Sequence, residues 1–420
     1  MLLSVARRVL RIVHRPSWPP GPGAITDLDA ERAAESFDGR PPDVGMPYAW
    51  STAATIEPWP EGKNFFPRIF DDVRHAKTSV HVLMFGWREG TVGTAFADLL
   101  IQKLKDGVEV RALVDSQGSQ VFKSAEPMFT RLAEAGAQIV VNDLLPVAAG
   151  GLYPRKRRPL DWRQDDLGRV DHRKLYVIDG EVAWVGGAGL EDHFENGGFH
   201  DVMVRVTGNV VRQAQALFLT SFRAHGGPLP SDLRRSFPAQ PDAGTTPIAL
   251  VQVAPGGFQS ATCAIHHLID DAERRLDIMN PYVTDAAVIE RIEAAARRGV
   301  AVRTVVSQTS NNSLASAAFK GDYRRLLDAG VEIYEYPGAV VHAKLIVADD
   351  TVLFGTVNLD AWALYRNYEV AMIAHDAHAA ALLEERVFEP DIARSDRAKP
   401  GTSFTARLRN SRGKKLSYFL

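Results

Sequence analysis

The segment VDHRKLYVIDGEVAWVGG, residues 170–187, sets His172 and Lys174 two residues apart at the head of an apolar run that ends at Asp179 and Gly180. Alternate residues of a strand share a face, so the imidazole and the ammonium point the same way from one strand end. An Asp-Gly pair between two apolar runs is a hairpin signal, and a two-residue turn there pairs Ile178 with Glu181 and His172 with Gly187. Two ionisable groups at the head of a buried strand are costly unless something pairs with them or uses them.

The same pattern is written a second time. VVHAKLIVADDTVLFGTVN, residues 340–358, holds His342, Lys344 and Asp349, so both segments read H-x-K-x4-D. A given histidine meets that spacing by accident on the order of once in 500 trials, so two such accidents at equivalent places are not credible. In the second segment a three-residue turn at Ala348, Asp349 and Asp350 brings Thr356 opposite His342.

The duplication extends upstream. GVEVRALV (107–114) matches GVAVRTVV (299–306), and each follows a stretch of helical periodicity, TVGTAFADLLIQKLKDG (91–107) and DAAVIERIEAAARRG (285–299), that ends at glycine. A second helix and strand follow in each copy, MFTRLAEAGAQIVV (128–141) and YRRLLDAGVEIYEY (323–336). Strands alternating with helices point to α/β layers, so the chain reads as a duplicated two-domain α/β protein. The expected organisation is an N-terminal extension at 1–50, a first lobe at 51–226, a Pro- and Gly-rich linker at 227–247, a second lobe at 248–395 and a basic tail at 396–420.

At 420 residues the chain is long enough for two cores with a site between them. It is 45% hydrophobic and 24% charged, which suits a globular protein, and its net charge of −2 gives no overall basic field to favour nucleic acid. The lone cysteine, Cys263, excludes an internal disulfide and a Cys-rich metal site, and reads as a small buried residue. The first twenty residues alternate apolar side chains with Arg7, Arg8, Arg11 and Arg15, which suits a basic amphipathic helix on anionic lipid as well as a solvated arm. No segment reaches the roughly 18 uninterrupted apolar residues of a membrane span.

The doubled H-x-K-x4-D motif, with Gly-Thr-x-Asn after the second copy, resembles the phospholipase D superfamily. FHDVMVRVTGNVVRQAQALF (199–218) and TVNLDAWALYRNYEVAM (356–372) are most similar to its bacterial cardiolipin synthase branch. The resemblance implies two pseudo-twofold-related α/β/α lobes with one active site at their interface, and phosphatidyl transfer through a phosphohistidine without a cofactor or metal. Carried onto this chain, His172 is the nucleophile and His342 the general acid/base, with Lys174 and Lys344 on the phosphoryl oxygens. Asp179 and Asp349 complete the catalytic signature, although the hairpin reading makes each a turn residue. Thr356 and Asn358 match the family's phosphate-binding hydroxyl and amide. Gly187 and Gly189 stand where the first copy usually has a hydroxyl and an amide. A carboxylate beyond each motif, Asp201 after His172 and Glu369 after His342, is expected to hold the far ring nitrogen of its histidine. The implied substrate is a phospholipid such as phosphatidylglycerol, with nucleic acid as the rival, and a phosphate-binding membrane scaffold as a non-enzymatic alternative. Contact with an anionic membrane surface, and a place in the cytoplasm at the inner face of the membrane, go with the lipid reading.

Three other features stand apart from the motifs. The loop LLPVAAGGLYPRKRRPLDWRQDDLGRV (144–170) carries Arg155, Lys156, Arg157 and Arg158 between Tyr153 and Trp162, a pattern that suits an anionic headgroup or a bare solvated loop alike. His193, His200, His266 and His267 form no recognised ligand spacing and read as surface or supporting groups. Trp87 falls at the carboxyl edge of the first sheet, where ligands bind, although packing in a core is the commoner fate of a tryptophan.

Overall fold

The computed structural model describes residues 48–121, 123–142, 170–255 and 259–399. The arginine-bearing N-terminal segment, the basic loop around Arg155–Arg158 and the final residues from 400 lie outside them.

The first copy runs β1 (Ser51–Ala53), β2 (Thr55–Pro60), α1 (Gly62–Arg74), β3 (Ser79–Met84), α2 (Thr91–Lys105), β4 (Glu109–Asp115), α3 (Glu126–Glu134), β5 (Gln138–Asn142), β6 (Lys174–Ile178), β7 (Val182–Gly186), α4 (Asp192–Glu195), β8 (Phe199–His200), β9 (Val202–Thr207) and α5 (Val210–Ala224). The second runs β10 (Thr246–Val253), α6 (Ser260–Asp271), β11 (Arg275–Met279), α7 (Ala286–Arg297), β12 (Ala301–Ser307), α8 (Ser313–Asp328), β13 (Glu332–Tyr336), β14 (Val340–Val341), β15 (Leu345–Ala348), β16 (Thr351–Gly355), α9 (Ala361–Tyr365), β17 (Glu369–His375), α10 (Ala377–Leu383), α11 (Glu389–Arg394) and β18 (Asp396–Arg397).

Two mixed sheets result, ordered β2-β9-β7-β6-β3-β4-β5 and β1-β10-β17-β16-β15-β11-β12-β13-β18. The strands joined by helical crossovers, β3-β4-β5 and β11-β12-β13, are parallel, and the hairpin strands beside them are antiparallel. Gly107 and Gly299 close their helices with φ of +84° and +97°, the left-handed conformation that glycine takes without a Cβ penalty.

Side-chain alternation sorts the core. In β6, Tyr176 and Ile178 pack with Phe65, Phe96 and Phe129 of α1, α2 and α3, while Leu175 and Val177 face the opposite way. That second face does not end at the lobe. Leu175, Val204 and Phe218 form one cluster with Leu345, Phe354 and Met372 of the second copy, so the lobes share a core across their interface. Helices α6, α7 and α8 cover the far face of the second sheet.

Two lobe edges differ from expectation. Strand β1 lies in the second lobe's sheet, paired with β10, and β18 within the expected tail pairs with β13. The second sheet thus borrows a strand from each side of its own stretch of sequence.

Both hairpin registers also shift by one residue, in opposite directions. Ile178 pairs with Val182, so the first turn has three residues and its left-handed positions are Asp179 and Gly180. Ala348 pairs with Thr351, so the second turn has two residues, Asp349 and Asp350. The aspartates decide the geometry. Asp179 accepts hydrogen bonds from the backbone N–H groups of Lys77, Thr78 and Ser79 and from the Thr78 hydroxyl. Asp349 accepts from the N–H groups of Glu273, Arg274 and Arg275. Each motif aspartate therefore ties its hairpin to the start of the neighbouring parallel strand, at the end of β6 or β15 remote from the histidine, which takes both out of the candidate catalytic set.

Candidate active site

The two motif strands are brought together by short parallel pairings between the lobes. Strand β14 pairs with β8, and the His342 N–H donates to the carbonyl of His200 at 2.7 Å. In the other half Asp171 bridges to Tyr368, and the His172 N–H donates to the Tyr368 carbonyl at 3.0 Å. His200 immediately precedes Asp201, and Tyr368 immediately precedes Glu369. Each histidine is therefore delivered beside the carboxylate of the opposite copy.

The side chains follow. His172 Nδ1 lies 3.0 and 3.1 Å from the two Glu369 oxygens, and His342 Nδ1 lies 2.7 Å from Asp201 Oδ2. The sequence pairs each carboxylate with the motif upstream of it, and the structure crosses them. Both histidine side chains are 12% exposed and both carboxylates are fully buried, so the reachable edge of each ring is the Nε2 side.

The lysines sit beneath them. Lys174 Nζ donates to the His172 carbonyl at 2.6 Å and lies 4.8 Å from the centre of the Phe85 ring. Lys344 Nζ donates to the His342 carbonyl and lies 3.1 Å from His342 Nε2. Burial brings Lys174 down to about 8 and, with the charge of Lys174 added, Lys344 to about 7. Burial and then the two ammonium groups push His172 well below its ordinary value, and burial with Lys344 brings His342 to about 3. Both imidazoles are held in the neutral form, and the two lysines act on both, so the four groups form one centre.

The two halves are not electrically alike. Burial raises Glu369 to about 8 against the pull of Lys174 and the Thr356 hydroxyl. Burial also opposes the charge on Asp201, but the hydrogen bond from His342 and the charges around it outweigh that and hold the carboxylate below its usual range. An ionised carboxylate on Nδ1 stabilises an imidazolium, so the Asp201–His342 pair is the better acid/base couple.

The expected phosphate ligands have other employment. Thr356 is fully buried; its hydroxyl donates to Glu369 and accepts from the Val370 N–H, so it orients the carboxylate. Gly187 occupies the equivalent place in the first copy. A Cβ there would stand 2.5 Å from Asp201 Oδ2 and 2.8 Å from the His342 carbonyl. The missing side chain is the gap through which the shorter carboxylate reaches His342: aspartate goes with glycine, glutamate with threonine. At Gly189 a Cβ would meet the Gly86 carbonyl at 2.5 Å and Glu191 Oε2 at 2.8 Å. Glu191, paired with Arg88 at 2.9 Å, fills the space that an amide would take. Asn358 is buried, and its Oδ1 has no hydrogen-bond partner among the described residues.

Several contributors carry no motif signal. Phe85 packs edge-on against His172 with centroids 4.8 Å apart, and Phe194 and Phe199 pack against His342 at 5.3 and 5.5 Å. Asp171 and Arg173 form a buried ion pair at 2.6 Å beside the first histidine. Phe85 follows β3 at the carboxyl edge of the parallel strands. Trp87, two residues on, is fully buried between Phe96 and Phe129 and belongs to the core.

A family model described as cardiolipin synthase, PLD-like domain, matches residues 69–219 and 265–391. Among curated relatives, the probable cardiolipin synthase YwiE of Bacillus subtilis (strain 168) is 28% identical over 357 residues, 83% of this chain and 68% of the relative. The major cardiolipin synthase ClsA of the same organism is 29% identical over 336 residues, 77% of this chain and 66% of the relative. The chain thus spans about two thirds of the length of these relatives. Among solved structures, phosphatidylserine synthase from Haemophilus influenzae Rd KW20 is similar with a TM-score of 0.65 and 14% identity, covering 93% of this chain and 98% of that one. That likeness is one of fold.

Proposed function

Because the chain belongs to the cardiolipin synthase, phospholipase D-like domain family, we propose that it transfers phosphatidyl groups from a phospholipid to an alcohol or water through a phosphohistidine. The observation that carries this reading is the pair of buried, neutral imidazoles, each anchored through Nδ1 to a carboxylate of the other lobe, with two ammonium groups beside them.

A neutral imidazole with its Nδ1 hydrogen held by a carboxylate presents a lone pair on Nε2. Once the substrate anion is bound, His342 takes up a proton on Nε2 from solvent; His172 attacks phosphorus with its lone pair, the bond from phosphorus to the headgroup oxygen breaks, and His342 gives that proton to the departing alkoxide. The phosphatidyl group then rests on His172 Nε2. In the second step His342 takes the proton of the incoming hydroxyl, whose oxygen attacks phosphorus and releases His172. Lys174 and Lys344 stabilise the non-bridging oxygens as charge builds on them. Arrival of the phosphodiester anion also offsets the two ammonium charges that depress His342, so substrate itself prepares the acid.

A phospholipid such as phosphatidylglycerol is the proposed substrate, and an anionic membrane surface the proposed setting. No helix among the described residues is long and apolar enough to cross a membrane. The test is incubation with labelled phosphatidylglycerol, with and without added glycerol, beside single-stranded DNA. Release of labelled glycerol that rises or is replaced by exchange when glycerol is added supports transfer. Cleavage of the DNA alone would replace the lipid reading with a nuclease.

A further inference from the structure

His200 lies on β8 and is 2% exposed. Its Nδ1 is 2.9 Å from Glu61 Oε1, at the turn before α1 in the first lobe, and its Nε2 is 2.7 Å from Asp391 Oδ2, on α11 in the second. A neutral imidazole has one N–H and one lone pair, and a lone pair aimed at a carboxylate oxygen is repelled. Two ionised carboxylates on the two ring nitrogens therefore call for the cation. Burial opposes that charge, but the hydrogen bonds to Asp391 and Glu61 and their own charges outweigh it and lift His200 to about 10.

The clamp is built into both lobes and into the site. Glu61 takes a left-handed backbone, φ 69°, unusual for a residue with a Cβ, and its N–H donates to the Asp201 carbonyl at 3.0 Å. The His200 ring stacks on Tyr336 with centroids 4.9 Å apart, and the Arg394 guanidinium lies 5.1 Å from the centre of the Tyr336 ring. The carbonyl of His200 accepts the His342 N–H, and the next residue is the carboxylate on His342 Nδ1. At the equivalent seat in the other half stands Tyr368, a phenol under Arg173 at 5.2 Å, so this ionic clamp serves the His342 half.

We propose that His200 is a charged strut joining Glu61 of one lobe to Asp391 of the other, and that it positions His342 against Asp201 for proton transfer. The inference rests on His342 as the acid/base of the proposed reaction. His200 touches no reacting atom and is a positioning residue.

Its signature is dependence on the leaving group. A headgroup alkoxide needs a proton to depart, whereas p-nitrophenolate does not, and a misplaced acid slows only the first. His200→Gln is expected to slow release of glycerol from phosphatidylglycerol roughly 10- to 100-fold in kcat, while release of p-nitrophenol from phosphatidyl-p-nitrophenol, read as the phosphoenzyme burst, falls less than about 3-fold. KM should be unchanged for both. Asp391→Asn, which keeps the imidazole in place, should show the same selectivity at smaller size, and it serves if the His200 variant fails to fold. Equal losses on the two substrates, a loss confined to KM, or no loss would overturn the strut. The same quenched samples separate this from failure of the reading beneath it: phosphate trapped on His342 would overturn the acid/base assignment itself, whereas phosphate on His172 with equal losses overturns the strut alone.

Discussion

At Gly187 the space for a side chain is already taken by the Asp201 carboxylate on its way to His342. Gly187→Ala should therefore displace Asp201 or His342, costing about 1–3 kcal/mol of stability in urea titrations and lowering kcat far more than KM. The crossed pairing makes a sharper prediction. Glu369→Gln removes the negative charge that steadies the ring as His172 bonds to phosphorus, so the phosphoenzyme should form far more slowly in a rapid quench. With a p-nitrophenol leaving group, which needs no acid, Asp201→Asn weakens only the histidine that must activate the incoming alcohol, so the phosphoenzyme should form and persist. If each carboxylate served its own motif, the two outcomes would be exchanged. The His/Lys pairs were legible in sequence because their spacing is a strand's period of two repeated at equivalent places. The partner of each histidine was not, because crossing depends on which strands pair between lobes, and β8 and β14 are two residues long. Phe85, Phe194, Phe199 and Glu191 were illegible for a plainer reason: aromatic and charged residues at strand ends are common, and only contact marks these.

At the scale of elements, the hairpins hold the motif in place from its far end. Asp179→Ala should cost about 1–3 kcal/mol, since it leaves the N–H groups of Lys77, Thr78 and Ser79 without their shared acceptor, yet kcat and KM should stay close to wild type. A catalytic aspartate would give the reverse: a stable and inactive protein. Burial opposes ionisation of Asp349, but the N–H groups of Glu273, Arg275 and Arg274 and the Arg274 charge hold it below its ordinary value. A depressed carboxylate contributes stability that is present above its unfolded value of about 3.9 and is lost as pH falls through the folded one. The Asp349→Asn variant should thus lose stability relative to wild type at neutral pH and converge with it in acid. Helices, strands and their order followed from periodicity and from the glycines that end α2 and α7. Turn length did not, because the left-handed pair Asp179 and Gly180 fits a two- or three-residue turn equally well, and the tie to the neighbouring strand settles which.

For the whole molecule, the consequence of two lobes sharing one core is a single buried cluster in which Glu369, Lys174 and Lys344 titrate close to neutrality. Glu369 must lose its proton to orient His172, which makes activity rise as pH approaches about 8. The lysines must keep theirs to hold the phosphoryl oxygens, which makes activity fall as pH passes about 7 to 8. The profile of kcat/KM should be a narrow bell in that range, and its alkaline limb should move upward in kcat, because the bound anion keeps the lysines charged. The strands at the lobe edges were the part of the architecture that sequence concealed: β1 and β18 are two or three residues long and carry no periodicity of their own. The central claim is that one centre built by both lobes works through a covalent phosphohistidine. Quenching the enzyme in neutral SDS during turnover of phosphatidylglycerol, digesting it without exposure to acid, which would cleave the N–P bond, and weighing the peptides tests this most directly. The account predicts a phosphatidyl adduct on His172 that is absent from His172→Ala and still forms on a p-nitrophenol substrate in His342→Ala; turnover with no adduct on either histidine would contradict it.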